Sequence, residues 1–234
     1  MNGCLLAFDT STEALAVAVQ TPQTRVTWNG EGGASASANL LPRIRGLLQE
    51  AGIELAQLQA IAFGAGPGAF TGLRTACAVA QGLAFGAALP VRPLDSLLIV
   101  AEGARGPAET EVDVAMDARM GEVYAGRYRW TGTRWQPLRA PALYTLDGLH
   151  QAWDASPPQC VVGSALQAFG DRLQTGAARR LDDAEADRAA ALMRLAQQAW
   201  RDDGGVDAAE ALPLYLRDKV ALTTAEREAL RSAR

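Results

Sequence analysis

One segment constrains the fold more than any other, because an apolar run, a glycine-rich loop and a helix of mostly small residues follow one another directly. The apolar run is LQAIAF (58–63), and the loop GAGPGAFTGLR (64–74) carries glycines at 64, 66, 68 and 72. Glycine permits tight backbone geometry, and a helix N-terminus favours anions. The loop therefore indicates either a phosphate cradle or a sharp strand-to-helix crossover that needs glycine for close packing. It is no Walker A loop, since no Lys follows the last glycine.

Hydrophobic periodicity predicts an α/β protein of two parts. In the first half, strands are predicted at 4–8, 14–20, 24–28, 58–63 and 90–93, and helices at 39–51, 71–86 and 94–104. In the second half, strands are predicted at 112–118, 123–130, 135–142 and 159–163, and helices at 165–173 and 184–202. The second half repeats the plan of the first in reduced form. We place the domains at 1–104 and 105–234, with the last helical segment packing back on the first domain.

Asp9 follows the first apolar strand directly and precedes Thr10 and Ser11, so hydroxyls and backbone donors surround one carboxylate at a strand end. Together with Gly66 and Gly68, these residues are candidates for facing a nucleotide. The alternative is a polar hairpin turn, because Asp, Ser and Thr side chains also satisfy their own backbone in turns.

The predicted helix 71–86 has little bulk on much of its surface, since Ala76, Cys77, Ala80, Gly82 and Ala84 are all small. Small residues let another helix approach closely. One face must pack on the chain's own sheet, and the shortage of large polar side chains elsewhere indicates that a partner helix covers a further face.

Composition excludes several classes of function. The 22 basic and 26 acidic residues leave a net charge of −4, so tight binding of tRNA by this chain alone is not expected. His150 is the only histidine and the three cysteines are far apart, so spacing predicts no metal site and no hydrolase triad. The start of the chain predicts a strand and no signal peptide, and 75–91 predicts a buried helix and strand. We expect a cytoplasmic protein with no membrane contact.

Several motifs occur together in the order and spacing of one family. They are LAFDTSTEALAVAV, NLLPRIRGLL, AFGAGPGAFTGLRTACAVAQGLA, MDARMGEVYAG and PLYLRDKVA. From near residue 3 to about residue 221 the chain resembles the TsaB (YeaZ) family, subunits of the bacterial machinery that makes N6-threonylcarbamoyladenosine on tRNA. The combination of GPGAFTGLR with a later DARMGEVY is specific to that family.

The resemblance implies an actin/Hsp70-like (ribonuclease H-like) two-domain fold with a reduced second domain. It also implies a non-catalytic role beside a larger TsaD-like paralogue, which modifies adenosine 37 of tRNAs reading ANN codons, and a TsaE-like ATPase. The paralogue holds its metal with an HxxxH motif. The corresponding stretch here, ASASANLLP (34–42), has no histidine. We therefore expect no catalytic residue, no metal and no cofactor in this subunit, with ATP or ADP at the level of the complex and tRNA contacted only indirectly.

Families of this kind dimerise through the two helices of the first domain, here 39–51 and 71–86. The residues expected to contribute, some facing the partner and some the core, are Leu40, Leu41, Ile44, Leu47, Leu73, Arg74, Cys77 and Ala80. A homodimer through the same helices is expected when the partner is absent.

Two other functions compete with this one. The first is a self-sufficient actin-like ATPase or small-molecule kinase, which Asp9 and the glycine-rich loop would serve. The second is a peptidase, for which the sequence offers neither a metal-ligand set nor a triad. The first of these is the principal alternative.

Overall fold

The computed structural model describes residues 3–107, 110–181 and 185–217, and its strands form two five-stranded sheets. The first sheet has the order β3-β2-β1-β4-β5. Its strands are β1 (Cys4–Asp9), β2 (Ala14–Gln20), β3 (Arg25–Glu31), β4 (Leu58–Gly66) and β5 (Val91–Asp95). The first three form an antiparallel meander, and β4 and β5 add parallel strands beside β1.

The second sheet repeats this plan with the order β10-β9-β6-β7-β8. Its strands are β6 (Glu111–Asp117), β7 (Glu122–Trp130), β8 (Trp135–Thr145), β9 (Cys160–Val162) and β10 (Arg179–Leu181). Again a three-stranded meander is followed by two parallel strands, here much shorter. The repeated α/β plan confirms the predicted actin/Hsp70-like fold of two parts. We call the two parts the first and the second lobe.

Helices cover both faces of the first sheet. On one face lie α1 (Ala36–Glu50) and α2 (Phe70–Ala87), and on the other lie α3 (Ser96–Gly103) and α6 (Arg188–Asp203). The outer face of the second sheet is covered by α4 (Leu146–Ala155) and α5 (Ala165–Phe169). Each sheet therefore buries both of its faces, as expected for α/β layers joined by parallel crossovers.

The alternation of side chains along β1 explains the two faces. Leu6 and Phe8 pack in the core with α1 and α2, whereas Leu5 and Ala7 pack in the core with α3 and α6. Successive side chains of a strand point to opposite faces of the sheet. The face toward α6 is rich in alanine, including Ala16, Ala18, Ala60 and Ala62, so α6 can lie close to the strands.

A single core joins the two lobes, because α3 and α6 pack against the first sheet and also against the inner face of the second. Glu102 of α3 is the polar centre of this core. Its carboxylate accepts a bond from Trp135 Nε1 at 2.7 Å and is paired with Arg105 at 3.0 Å and with Arg194. Nearby, the Tyr128 hydroxyl donates to Asp95 Oδ2 at 2.5 Å. Burial raises the pKa of both Asp95 and Tyr128.

The structure corrects several predicted elements. Helix α4 was not predicted, because Gly148 lies in its first turn; there the backbone N–H of Gly148 donates to the N-cap hydroxyl of Thr145 at 3.1 Å. Strand β10 was not predicted, because its three residues show no apolar alternation. Helix α1 begins at Ala36, earlier than predicted. The helix predicted from 184 begins at Arg188, and residue 184 itself lies outside the described residues.

The boundary predicted between residues 104 and 105 stays a prediction. The chain passes from α3 to β6 in this region, which leads from one sheet to the other. Helix α6 then returns to the first sheet, where it contacts β1 and β2.

We expect Glu102→Ala to destabilise the protein by about 3 kcal/mol, because it leaves a buried indole N–H and two guanidinium groups without their carboxylate. Glu210→Ala is the matched control, since Glu210 is exposed. The measurement is the free energy of unfolding in urea for both variants. A difference between the two variants below about 1 kcal/mol would contradict the role of Glu102 as the centre of the shared core.

Candidate functional site

The carboxylate of Asp9 is fully buried at the end of β1, below the floor of the space between the lobes. It accepts bonds from the backbone N–H of Ser11 at 3.2 Å and from the Ser11 hydroxyl at 2.9 Å. The Ser96 hydroxyl, at the start of α3, lies 3.5 Å from its Oδ1. These local bonds are those of a polar turn, which was one of the two interpretations of the sequence.

Arg188 compensates the charge of Asp9 from inside the chain. Its Nε donates to Asp9 Oδ2 at 2.7 Å, and both side chains are almost wholly buried. Its other two nitrogens donate to Glu185 Oε2 at 2.7 Å and to the Ser11 hydroxyl at 3.1 Å. Burial acts to lower the pKa of Arg188, but the charges of Asp9 and Glu185 outweigh burial and raise it. Each guanidinium nitrogen thus has a protein acceptor.

The glycine-rich loop serves close packing. A Cβ at Gly64 would lie 1.8 Å from Asp9 Oδ1, and one at Gly72 would lie 1.8 Å from the carbonyl oxygen of Thr10. The Thr10 hydroxyl donates to the Gly72 carbonyl at 2.7 Å, so the start of α2 rests directly on the turn after β1. Gly66 has a φ of +119°, a conformation that favours glycine. Of the two interpretations of this loop, the geometry matches the crossover that needs glycine.

A cavity of about 760 Å³ lies between the lobes, above Asp9. Its walls come from the turn after β1, the start of α2, the β6–β7 hairpin, the start of α5 and the segment 214–217. Representative lining residues are Ser11, Phe70, Met116, Met120, Ser164 and Tyr215. Most of this lining is apolar.

The structure separates the five residues predicted to face a nucleotide. Ser11 and Gly68 line the cavity. Asp9 and Thr10 are buried beneath it with bonds to protein groups, and Gly66 lies under the carbonyl oxygen of Leu214. For Asp9, Thr10 and Gly66 a contact with nucleotide stays a prediction; in this structure protein groups bond to their polar atoms or cover their backbone.

The structure also shows which of the eight residues expected to contribute to the partner-binding helices lie at the surface and which lie in the core. Leu41 and Arg74 lie at the surface, and the side chain of Leu41 is 49% exposed. The other six are buried in this chain's own core: Leu40, Ile44, Leu47, Leu73, Cys77 and Ala80. These six take the core side of that expectation, because they pack α1 and α2 onto the sheet. Which residues contact a partner stays a prediction.

An apolar surface remains on α1 and α2, which pack side by side on the first sheet. On α2, Phe85 is 63% exposed, Ala78 is exposed, and no atom lies within 4 Å of a Cβ built at Gly82. On α1, Leu41 is half exposed. We call Leu41, Ala78, Gly82 and Phe85 the helix face. Its low bulk leaves room for another helix to approach closely.

Sequence reasoning missed Arg188 and the segment that includes Tyr215. Arg188 is 179 positions from Asp9, and nothing in the local sequence distinguishes it from the other arginines. The motif PLYLRDKVA was recognised as a family feature, but its contacts with α2 depend on tertiary structure. Within the described residues, no group of three or more His, Cys, Asp or Glu side chains is arranged to hold a metal ion.

Comparisons with known proteins identify relatives over nearly the whole chain. The family model described as "TsaD: tRNA N6-adenosine threonylcarbamoyltransferase" matches residues 34–223. The tRNA threonylcarbamoyladenosine biosynthesis protein TsaB of Escherichia coli K12 is 33% identical over 235 residues, with 93% of this chain and 96% of that protein covered. Its namesake from Haemophilus influenzae is 33% identical, with 94% and 95% covered. The structure of YeaZ from Pseudomonas aeruginosa, 38% identical, superposes with a TM-score of 0.81 over 92% of this chain and 100% of that chain.

We expect Arg188→Met to destabilise the protein by about 3 to 5 kcal/mol, because it leaves the buried carboxylate of Asp9 without a counter-charge. Arg201→Met is the matched control, since Arg201 is an exposed arginine on the same helix. Adding Asp9→Asn to Arg188→Met should restore part of the loss, since it removes the uncompensated charge. The measurement is the free energy of unfolding in urea. An unfolding free energy of Arg188→Met within about 1 kcal/mol of the Arg201→Met control would contradict this role of Arg188.

Proposed function

Because the chain belongs to the TsaB (YeaZ) family of tRNA threonylcarbamoyladenosine biosynthesis proteins, we propose that it acts in the synthesis of N6-threonylcarbamoyladenosine on tRNA. Its role is that of a non-catalytic subunit that binds and supports a TsaD-like catalytic paralogue. The complex transfers threonylcarbamoyl to adenosine 37 of tRNAs reading ANN codons and includes a TsaE-like ATPase.

The helix face is the observation that carries this proposal. Two of the large hydrophobic side chains that are exposed in the described structure, Leu41 and Phe85, lie on α1 and α2. On α2 a low-bulk surface at Ala78 and Gly82 permits close backbone approach, and apolar surface of this kind marks protein interaction sites. The partner that fits is a helix pair with an apolar face, as a paralogue of the same fold would present. When the paralogue is absent, the same surface supports a homodimer.

The chemistry beneath the cavity supports a non-catalytic role. A carboxylate that acts on a metal-bound nucleotide must offer its charge to the ligand, but Asp9 is buried and paired with Arg188. Arg188 lines the cavity, and each of its three guanidinium nitrogens is bonded to a protein oxygen. We propose that the chain has no cofactor of its own and that ATP or ADP acts at the level of the complex.

The tRNA contact is proposed to be indirect. The net charge of −4 does not favour neutralisation of a phosphate backbone by this chain alone. We also propose that the protein works in the cytoplasm. None of the helices in the described part of the chain is long and apolar enough to cross a membrane.

Charge placed on the helix face should weaken partner binding. We expect Leu41→Glu and Phe85→Glu each to weaken the complex with the matching TsaD-like paralogue at least about tenfold, because a carboxylate is buried without a counter-charge. Leu138→Glu is the matched control, since Leu138 is an exposed leucine on β8 of the second lobe. Affinity is measured by calorimetry, and modification of tRNA by the reconstituted components gives the functional readout. Equal affinity for all three variants would contradict the proposed surface.

A substitution at Gly82 should change the stability of the chain and its affinity for the paralogue in opposite directions. A Cβ at this position has no atom within 4 Å, and leucine has a higher helix propensity than glycine, so Gly82→Leu should stabilise the chain by up to about 1 kcal/mol. The same side chain blocks close approach of a partner helix, so affinity for the paralogue should fall. Thermal melting and calorimetry measure the two effects. A variant that melts higher and still binds at wild-type affinity would argue against helix packing at this point.

If the chain were a self-sufficient actin-like ATPase, the isolated chain would bind ATP with Mg²⁺. We expect calorimetry to detect no binding of ATP with Mg²⁺ to the isolated chain at millimolar concentration, because Arg188 already compensates the charge of Asp9. Titration of the assembled complex under the same conditions is the comparison. Tight binding by the isolated chain would overturn the proposal that nucleotide acts only at the level of the complex.

A further inference from the structure

The segment that follows α6 runs along the first lobe and then crosses to the second. Val206 forms two backbone hydrogen bonds with Val91 at the edge of β5, at 2.8 and 2.9 Å. After a short 3₁₀ turn at Ala208–Glu210 the chain continues without regular structure to Arg217. We call residues 211–217 the strap.

The strap is bonded to the first lobe along one side of α2. The carbonyl oxygen of Ala211 accepts bonds from the Cys77 thiol at 3.3 Å and from Gln81 Nε2 at 3.0 Å. The backbone N–H of Leu214 donates to the carbonyl oxygen of Ala65 at 2.7 Å. The side of α2 that carries Cys77 and Gln81 is therefore covered by the chain's own strap.

Tyr215 continues this attachment at the start of α2. Its ring packs on Phe70 with 5.3 Å between ring centroids, and its hydroxyl accepts a bond from Arg74 Nε at 3.2 Å. The Arg74 guanidinium lies 4.2 Å from the centre of the Phe70 ring. The three side chains form a small stack at the rim of the cavity.

Arg217 attaches the other end of the strap to the second lobe. Its NH2 donates to the carbonyl oxygen of Ala118 at 3.0 Å and to Glu122 Oε2 at 2.5 Å, and its NH1 lies 3.2 Å from the sulfur of Met120. All three acceptors belong to the β6–β7 hairpin, which lines the cavity. Only 12% of the Arg217 side chain is exposed.

The strap therefore forms a wall of the cavity that touches both lobes, since residues 214–217 line it together with the start of α2 and the hairpin. Three of its side chains are well exposed, Leu212 at 69%, Leu214 at 41% and Tyr215 at 43%, whereas Ala211 is fully buried. Segments with few buried apolar contacts open locally at lower free energy than the core. The contact between the lobes at α3 is by contrast part of the shared core. It contains the bonds from Trp135 to Glu102 and from Tyr128 to Asp95.

We propose that the strap is a latch that closes the cavity between the lobes, and that loss of its Tyr215 and Arg217 contacts opens the cavity while the shared core stays intact. The latch has two fastenings, the stack of Tyr215 on Phe70 and Arg74, and the bonds of Arg217 to the hairpin. Without the bonds of Arg217 the strap is tied to the first lobe only. Without the stack of Tyr215 its attachment to the first lobe is reduced to the bonds of Ala211 and Leu214. This inference concerns the isolated chain and does not depend on the proposed partner.

The test is amide hydrogen exchange of the full-length chain, read by mass spectrometry. Two amides report on the cavity walls: Ala69 N–H, bonded to the Ser11 carbonyl at 2.7 Å, and Ala118 N–H, bonded to the Glu122 carbonyl at 3.0 Å. In Tyr215→Ala and in Arg217→Ala, peptides that contain these amides should exchange about tenfold faster than in the wild type. Peptides from the core strands β1 and β6 should keep their wild-type rates.

Two control variants separate the latch from general effects. Leu212→Ala changes an exposed side chain of the strap itself, and Arg201→Ala removes an exposed arginine elsewhere; both should exchange at wild-type rates. Tyr215→Phe removes only the bond from Arg74 and should give an intermediate rate at both reporter amides. Should Arg217→Ala unfold, the two Tyr215 variants decide the question. Faster exchange confined to 211–217, with wild-type rates at Ala69 and Ala118, would overturn the proposal.

Discussion

The buried ion pair between Asp9 and Arg188 determines how the two halves of the chain come together. Asp9 ends the central strand of the first sheet, and Arg188 begins α6, so their 2.7 Å contact sets the point at which α6 docks on that sheet. A buried pair contributes little net stability, because desolvation offsets the attraction. Docking α6 elsewhere, however, would leave both charges buried and unpaired. The pair therefore specifies where α6 docks, because other positions of α6 would cost the free energy of two unpaired buried charges.

The position of α6 has consequences for both lobes. Helix α6 and helix α3 share one core with the two sheets, and Glu102 joins them to Trp135 and Arg194 at its centre. The other face of the first sheet is thereby left to α1 and α2, whose buried side chains pack on it. The helix face of Leu41, Ala78, Gly82 and Phe85 lies on the outside of these two helices and is the surface proposed for the partner. The cavity and the helix face are thus set by the packing of one helix on alanine-rich strands.

The same pair changes what the space between the lobes can do. An internal cation compensates the carboxylate of Asp9, and the cavity above it is largely apolar and bounded by the strap. The chain keeps the architecture of the fold, whereas its polar groups at this point bond to one another. A role as a supporting subunit is consistent with that arrangement.

The sequence by itself determined the features that depend on near neighbours. Apolar alternation placed nine of the ten strands, and the combination of GPGAFTGLR with DARMGEVY identified the family. Period and turn chemistry operate over a few residues, so they can be read from a single chain. Helix α4 was missed because Gly148 in its first turn resembles a break, although the hydroxyl of Thr145 caps it. Strand β10 was missed because three residues carry too little pattern.

Only the tertiary structure decided which face each residue takes and which distant groups meet. The small residues of α2 allowed both a partner helix and the chain's own core, and packing showed that Cys77 and Ala80 face inward and that the strap covers a further side. Asp9 allowed either a ligand site or a turn until Arg188, 179 positions away, was seen beside it. Such contacts depend on where whole elements pack, and the energy of that packing is spread over the entire core, so no local pattern records it.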